Sequence, residues 1–529
     1  MHPAAYPESQ HLVLAANADR SPAVDPGRLK DLISDVRAAR GRLLDVWEAT
    51  ALVESLGYTD ARVQREFGFR NTLAAGGYVF KASAEPQGHE AGWAPIQQSV
   101  VTIVGRSAAS TLIYAVPWIA IFVAQTTHPK AMQLSSFLAS PLALALMFSL
   151  VWSGGFVQAI VRRGGFYVGV RQLGLAREVV GVLLRIGVAL TIIVAGIGVL
   201  VGWYFRLFSW PALVLGADVF VIMSVLWMVC STFAIRQQQW RVAAAFLTGF
   251  AGYIVARGFQ ADVLTSYLIA ATTVLAAASI QTHGLFTDGG EQGAKRRSVP
   301  LPRLSVVVYW TVPYFWYGAA YFAFLFADRL TAGTAMAALT STPFSIPVQY
   351  STGMELALLT LLVSASGVEV AGALFARAIG TEASRPFSGN PAPLAAAMRR
   401  HHRRALMFSV GTFVAAAGGV ATLGHRMFAA ELTSTAWFTL LRGDIGYACL
   451  TIGFVNALVL FEMRRTWDAV HTLAPALLIN LGTGYVLSHV LGSTNAVYGL
   501  IFGAAYFAAA STMTVRRVLR HPDYAYAAG

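Results

Sequence analysis

The sequence predicts an all-α polytopic membrane protein, with about twelve transmembrane helices in two six-helix halves and a small N-terminal helical domain in front. Three observations carry this. The 529 residues are 56% hydrophobic and 12% charged, with mean hydropathy +0.57, too apolar for a soluble chain, which must clothe its core in polar surface. The apolar residues fall in runs of about 18 to 25, each able to cross about 30 Å of hydrocarbon as a helix, and the short alternating segments of a β-barrel are not visible. Basic residues crowd alternate loops.

Residues 1–97 are polar and read as a cytoplasmic helical domain. Helices are expected over Pro26–Ala39 and Leu43–Leu56, the latter with Leu44, Trp47, Leu52 and Leu56 at helical spacing and Gly57 as its stop. Thr59 and Asn71 are N-cap candidates for Asp60–Phe67 and Thr72–Ala82. Trp47, Tyr58, Phe67, Phe69 and Phe80 supply a miniature core. Short helices with Arg62, Arg65 and Arg70 permit a helix-turn-helix reading, but acidic residues are about as numerous, and a docking or regulatory role fits better. Met1-His2-Pro3-Ala4 opens no charged and then apolar leader, so no cleavable signal is expected.

Spanning helices are expected near 101–125, 134–161, 181–205, 211–234, 241–257, 262–281, 304–327, 354–376, 406–424, 444–462, 468–490 and 495–514. One set of loops holds Arg162, Arg163, Arg171 and Arg177, then Arg236 and Arg241, Lys295 to Arg303, Arg377 to Arg404, Arg464 and Arg465, and Arg516 to Arg520. The other set offers little beyond Lys130, Arg206, Arg257, Arg329, Arg426 and Arg442. The positive-inside rule puts the basic set and both termini in the cytoplasm, and an even helix count agrees. This asymmetry also accounts for the formal net charge of +13 without nucleic acid as a partner. Residues 284–303, with Gly289-Gly290 and Lys295-Arg296-Arg297, form the natural cytoplasmic linker between a first half at 98–283 and a second at 304–515; 516–529 is a tail. Pro117 and Pro313 sit among aromatics in the first helix of each half, a repeat of the kind transporters use.

A charge within hydrocarbon needs a partner, water or a ligand, so intramembrane ionisable residues are the site candidates. They are Arg106, Arg185, Asp218, Glu355, Glu369 and Asp444. Glu369, deep in its run, reads as a proton or cation carrier, with Asp218 and Glu355 as further ion-coupling candidates; the alternative is an interhelical hydrogen bond. Arg106 either snorkels to the interface or faces a cavity, where its fork of donors suits an anionic group. Asn456, Asn480, His489 and the aromatics Tyr309, Trp310, Trp316, Tyr317 and Tyr321 suit sugar rings, and suit packing or interfacial anchoring equally. Arg106, Tyr317 and Asn456 are the substrate-binding candidates. Asp328 and Arg329 are placed at the outer end of the seventh helix, pairing with each other or with neighbours there.

Catalytic signals are missing: there is no Walker loop, HExxH, paired-Cys motif or nucleophile elbow. The first outward loop, Thr126 to Lys130, lacks the acids that polytopic lipid-dependent glycosyltransferases hold there. Cys230 and Cys449 lie inside apolar runs, so a disulfide framework is not the design. No catalytic residue, metal ligand or cofactor is expected.

Pro313-Tyr314-Phe315-Trp316-Tyr317-Gly318 through Phe324-Leu325-Phe326-Ala327-Asp328-Arg329, then Tyr350-Ser351-Thr352-Gly353-Met354-Glu355-Leu356-Ala357-Leu358-Leu359, resembles the seventh and eighth helices of polysaccharide exporters and flippases. With twelve helices in two halves, cytoplasmic termini and a long basic connection between the second and third helices of each half, the chain resembles the multidrug/oligosaccharidyl-lipid/polysaccharide (MOP) exporter superfamily. The resemblance implies alternating access of two halves about a central cavity, moving a polysaccharide or lipid-linked saccharide across the cytoplasmic membrane, usually on an ion gradient. Arg106 stands where the drug-exporting branch has an acid, which favours an anionic or glycan cargo. The other reading is a non-transporting scaffold of a cell-envelope synthesis complex, docking a cytoplasmic partner through residues 1–97. An ion or drug antiporter ranks third.

Overall fold

A computed structural model describes residues 26–39, 46–84, 136–169, 172–285, 304–340, 343–383, 392–427 and 433–520, with a few single residues besides. The chain divides into two compact units, 1–98 and 99–529. Among the described residues every regular element is helical.

In the first unit the helices are α1 (Pro26–Ala39), α2 (Val46–Ser55), α3 (Asp60–Phe67) and α4 (Thr72–Ala84). Leu32, Val36, Val53, Val63, Phe67 and Val79 close a small core between them. Asn71 caps α4, its Oδ1 accepting from the Ala74 N–H at 2.9 Å, as expected. Thr59 occupies the cap position of α3 but makes no side-chain cap bond. The connection is tied instead by Thr72, whose N–H and hydroxyl both donate to Asp60 Oδ1, at 2.7 and 2.8 Å. Trp47, expected in the core, is 71% exposed: on α2 the inward positions belong to Ala49, Thr50 and Val53.

The second unit contains eleven long helices among the described residues: α5 (Ser136–Gly169), α6 (Leu173–Tyr204), α7 (Trp210–Ile235), α8 (Trp240–Gly258), α9 (Val263–His283), α10 (Leu304–Thr340), α11 (Val348–Ala383), α12 (Ala392–Met427), α13 (Ser434–Glu462), α14 (Thr466–Leu491) and α15 (Val497–Val518). They match the second to twelfth expected spans in order; the first, 101–125, lies outside the described residues except at isolated positions. Among the described residues, nine helices are long and apolar enough to cross a membrane. The surface supports that reading. On α6, Ile192, Ile193, Ile197 and Leu200 are all exposed, an apolar face that would drive aggregation in water. Aromatic belts mark both ends, with Trp203, Tyr204 and Trp210 at one and Trp240, Tyr309, Trp310 and Trp467 at the other. The chain is a multi-pass, all-α membrane protein.

Several helices outrun the hydrocarbon. α12 begins at Ala392 rather than near 406, because Ala-rich Leu394-Ala395-Ala396-Ala397-Met398 favours helix and the following arginines are solvated on it. α10 runs 37 residues, about 55 Å, and does not stop at Asp328-Arg329. Four turns between helices are closed by non-glycine residues in the left-handed region, Arg206, Gln237, Gln260 and Arg464. At Arg464, for example, its N–H donates to the Phe461 carbonyl at 3.0 Å and the next N–H to Leu460 at 2.8 Å, which satisfies the last carbonyls of α13.

Packing sorts the helices into α5–α9 and α10–α15, and among the described residues the principal seam between the groups is α5 against α10. Small residues make it close: a Cβ on Gly154 would overlap the Phe322 ring, and one on Gly318 would overlap the Gly154 carbonyl. Trp152, Phe156 and Phe315 stack edge to face beside it, centroids 5.0 to 6.0 Å apart.

Candidate functional site

α11 packs on α12 and α13. Its contacts are cut close by glycines: a Cβ on Gly353 would strike Thr439, and one on Gly367 would strike Thr412. Those two sides fix the third. Thr352, Glu355, Leu359, Leu362, Ser366 and Glu369 recur at helical spacing on the remaining face, and both glutamates are exposed. They are fourteen residues apart, about 21 Å along the axis. A carboxylate costs a few kcal/mol against lipid, so a polar stripe inside a spanning helix belongs on a watered cleft. Arg162 and Tyr321 are the electrostatic neighbours of Glu369, and Arg329 that of Glu355.

Behind the stripe lies a buried polar cluster. Asp328 and Arg329 are 0% and 7% exposed. This corrects the expectation of a pair at a helix end. The Arg329 guanidinium donates to Leu325 O at 3.0 Å, Tyr447 Oη at 3.3 Å and Met354 O at 2.9 Å, and Nη1 is 3.5 Å from Asp328 Oδ1. Tyr350 donates its hydroxyl to Asp328 Oδ2 at 2.8 Å. One cation and one anion thereby tie α10, α11 and α13 together. Asp444, also on α13, interacts with Thr360 of α11, while its Oδ1 is buried without a partner.

At the Arg-rich end the groups meet through charge. Arg162 Nη1 of α5 lies 3.6 Å from Glu462 Oε1 of α13, with the guanidinium 5.1 Å from the Phe461 ring centroid. Tyr317 is buried there, its ring edge-on to Phe461 at 4.7 Å.

The remaining candidates separate. Asn456 is fully buried: Nδ2 donates to Ser511 and Thr512 at 3.0 and 2.8 Å, and Oδ1 accepts from His402 Nε2 at 2.8 Å. An amide oxygen only accepts, so Nε2 carries the proton. All of this ties α12, α13 and α15. Asn480 donates to Phe324 O at 3.0 Å, joining α14 to α10. Asp218 is exposed on α7, and Arg185 is exposed on α6 with Nε donating to Gly181 O at 3.2 Å. Arg106 lies outside the described residues. Sequence reasoning gave Tyr350 and Tyr447 no role in the cluster, since an aromatic in an apolar run gives no sign that its hydroxyl meets a buried charge.

No protein-family model and no curated protein matches the chain. Solved structures do. A MATE protein in complex with MaD3S is similar at TM-score 0.56 and 11% identity, covering 81% of this chain and 98% of its own. A MOP superfamily transporter from Pyrococcus furiosus, described as having a binding pocket of reverse polarity that suggests a different function, is similar at TM-score 0.54 and 11% identity, covering 83% and 100%. The Vibrio cholerae MATE transporter VcmN in its bent form is similar at TM-score 0.52 and 13% identity, covering 81% and 99%. The chain has the fold of the MATE transporters of the MOP superfamily.

Proposed function

We propose that the protein is a membrane transporter working by alternating access of α5–α9, together with the span expected near 101–125, against α10–α15. The observation that carries this reading is the polar stripe on α11, with Glu355 and Glu369 exposed on one face of a spanning helix. Among the described residues, the close α5–α10 seam and the Arg162–Glu462 contact at the Arg-rich end support an arrangement closed at that end. The fold shared with MATE transporters agrees. Glu369 is the coupling group, exchanging a proton or cation during the cycle; Glu355, and Asp218 as a further candidate, belong to the same ion route.

The cargo is a lipid-linked saccharide or polysaccharide carrying negative charge, engaged by Arg106, with the exporter working outward across the cytoplasmic membrane. Tyr317 and Asn456 support the walls of the cargo path. Arg106 in the first span is the feature that favours an anionic cargo over a cationic drug, and one solved MOP structure is itself described by a reversed pocket polarity.

The test is transport of a labelled lipid-linked saccharide in proteoliposomes under an imposed proton or sodium gradient. Gradient-driven movement by wild type, lost in Glu369→Gln with folding intact, supports the reading. Folded wild-type protein that moves neither glycolipid nor polysaccharide under any gradient would falsify it, and the scaffold reading, in which residues 1–97 dock a cytoplasmic partner, would replace it.

A further inference from the structure

Arginines at the Arg-rich end divide into two kinds. Several are engaged within the protein: Arg236 donates to Leu285 O at 2.8 Å, Arg241 to Gln281 O at 2.7 Å, and Arg465 pairs with Asp468 at 2.8 Å. Those on α12 and α15 are not. Among the described residues no carboxylate or carbonyl meets the guanidinium of Arg399, Arg400, Arg403, Arg404, Arg516 or Arg520, and all six are exposed. Four like charges within two turns of one helix repel unless an anion sits among them.

The same face of α12 continues beyond the arginines as an apolar stripe. Exposed positions recur in one stripe, beginning Arg399-Arg400 and Arg403-Arg404 and continuing one turn later as Met407-Phe408, then Gly411 and Val414-Ala415. Met407 and Val414 are 65% and 64% exposed. The stripe thus changes within a single turn from guanidinium to apolar side chain, which is the profile of a helix face crossing from headgroups into acyl chains. The His402–Asn456–Ser511/Thr512 network stands at this depth and links α12 to α15 through Asn456 of α13. It brings Arg516 close enough to act electrostatically on His402. On α15 the exposed Met513 and Phe502 continue the apolar side.

We propose that the Arg399–Arg404 turns of α12, with the Arg516–Arg520 end of α15, form a binding site for the phosphates of anionic bilayer phospholipids. The assignment goes beyond transport and does not depend on it. Guanidinium forks bind phosphate oxygens in pairs, and the apolar continuation of the stripe receives the acyl chains. A free phosphate would use the arginines alone and leave Met407, Phe408 and Val414 unexplained.

The test is native mass spectrometry of the full-length protein titrated with phosphatidylglycerol or phosphatidylcholine. Wild type is expected to retain phosphatidylglycerol preferentially, and the combined Arg399→Gln, Arg400→Gln, Arg403→Gln, Arg404→Gln variant to lose about tenfold or more of that preference. The matching lysine variant is expected to keep most of it, and Arg426→Gln, at the other end of α12, all of it. An unchanged preference in the glutamine variant overturns the proposal, as does displacement of the lipid by an equal concentration of soluble glycerol phosphate. If the glutamine variant does not fold, wild type still decides: no preference for phosphatidylglycerol at low salt, or one that high salt leaves unaltered, overturns it.

Discussion

Arg162 on α5 and Glu462 at the end of α13 face each other across the two helix groups, Nη1 to Oε1 3.6 Å, with Phe461 under the guanidinium. Both side chains are about one third exposed, so water screens the pair and it contributes about 0.2–1 kcal/mol to the closed arrangement. Such a contact can bias a conformational equilibrium without locking it. Arg162→Gln or Glu462→Gln is expected to open the Arg-rich end up to about fivefold more often, read as faster modification of a cysteine placed at Gln158 beside Gly318. The double variant should behave like either single one; additive effects would show that the two side chains act separately.

Arg329 is held differently. It is buried with donors directed to Leu325 O, Met354 O and Tyr447, and removing it strands Asp328 without a counter-charge. Arg329→Met is expected to destabilise the protein by about 3 kcal/mol or more. Asp328→Leu with Arg329→Met should recover part of that loss, because it removes both charges. Detergent thermal melts compare the two. Equal losses would mean that the ion pair is incidental to the packing.

Gly318 permits the α5–α10 crossing, since any Cβ there meets the Gly154 carbonyl. Gly318→Leu is expected to cost about 1–3 kcal/mol through overpacking, while Gly411→Leu, which meets open space, should cost far less. Loss of stability of similar size in both would remove the seam from the account.

The helix order was legible because each span is a long apolar run, and eleven of the expected positions have a described helix. The charged pair was misplaced because a run read along the chain ends at Asp328-Arg329, whereas the helix continues through Leu330 to Thr340. What allows this is Tyr350 and Tyr447, 22 and 118 residues away from their partners, and no local spacing announces them. The apolar run Leu330-Thr331-Ala332-Gly333-Thr334-Ala335 after the pair was the available hint. Glu355 and Glu369 were legible as costly acids; their interval of fourteen residues puts them on one face of α11. That this face is the open one follows only from the glycines that seat α11 on α12 and α13. Asn456 was visible as an amide in an apolar run, but its partners at 402, 511 and 512 lie on other helices. The left-handed turns at Arg206, Gln237, Gln260 and Arg464 carry no glycine to mark them.

In the N-terminal unit Asp60 accepts the N–H and the hydroxyl of Thr72, and the first of these does most to hold its carboxyl below the usual range. The ionised form is the one the fold favours. Its contribution is therefore complete above the unfolded value of about 3.9 and is lost as pH falls through the lower folded value. Hydrogen exchange of the α3–α4 segment in the full chain, corrected for intrinsic rates, should show protection falling in that acid window. Asp60→Asn should flatten the change. A fall centred near neutral pH would assign it to another group.

The claim that the two helix groups move against each other is tested most directly by a distance between them at the Arg-rich end. Spin labels at Arg177 on α6 and Arg377 on α11, on a background with Cys230 and Cys449 replaced, would be measured by double electron–electron resonance in lipid. The account predicts two distance populations whose balance shifts toward the longer one in Arg162→Gln and responds to an imposed ion gradient or to Glu369→Gln. A single distance, unchanged by the substitutions and by the gradient, would contradict it and leave a rigid membrane body with an unexplained pair of glutamates.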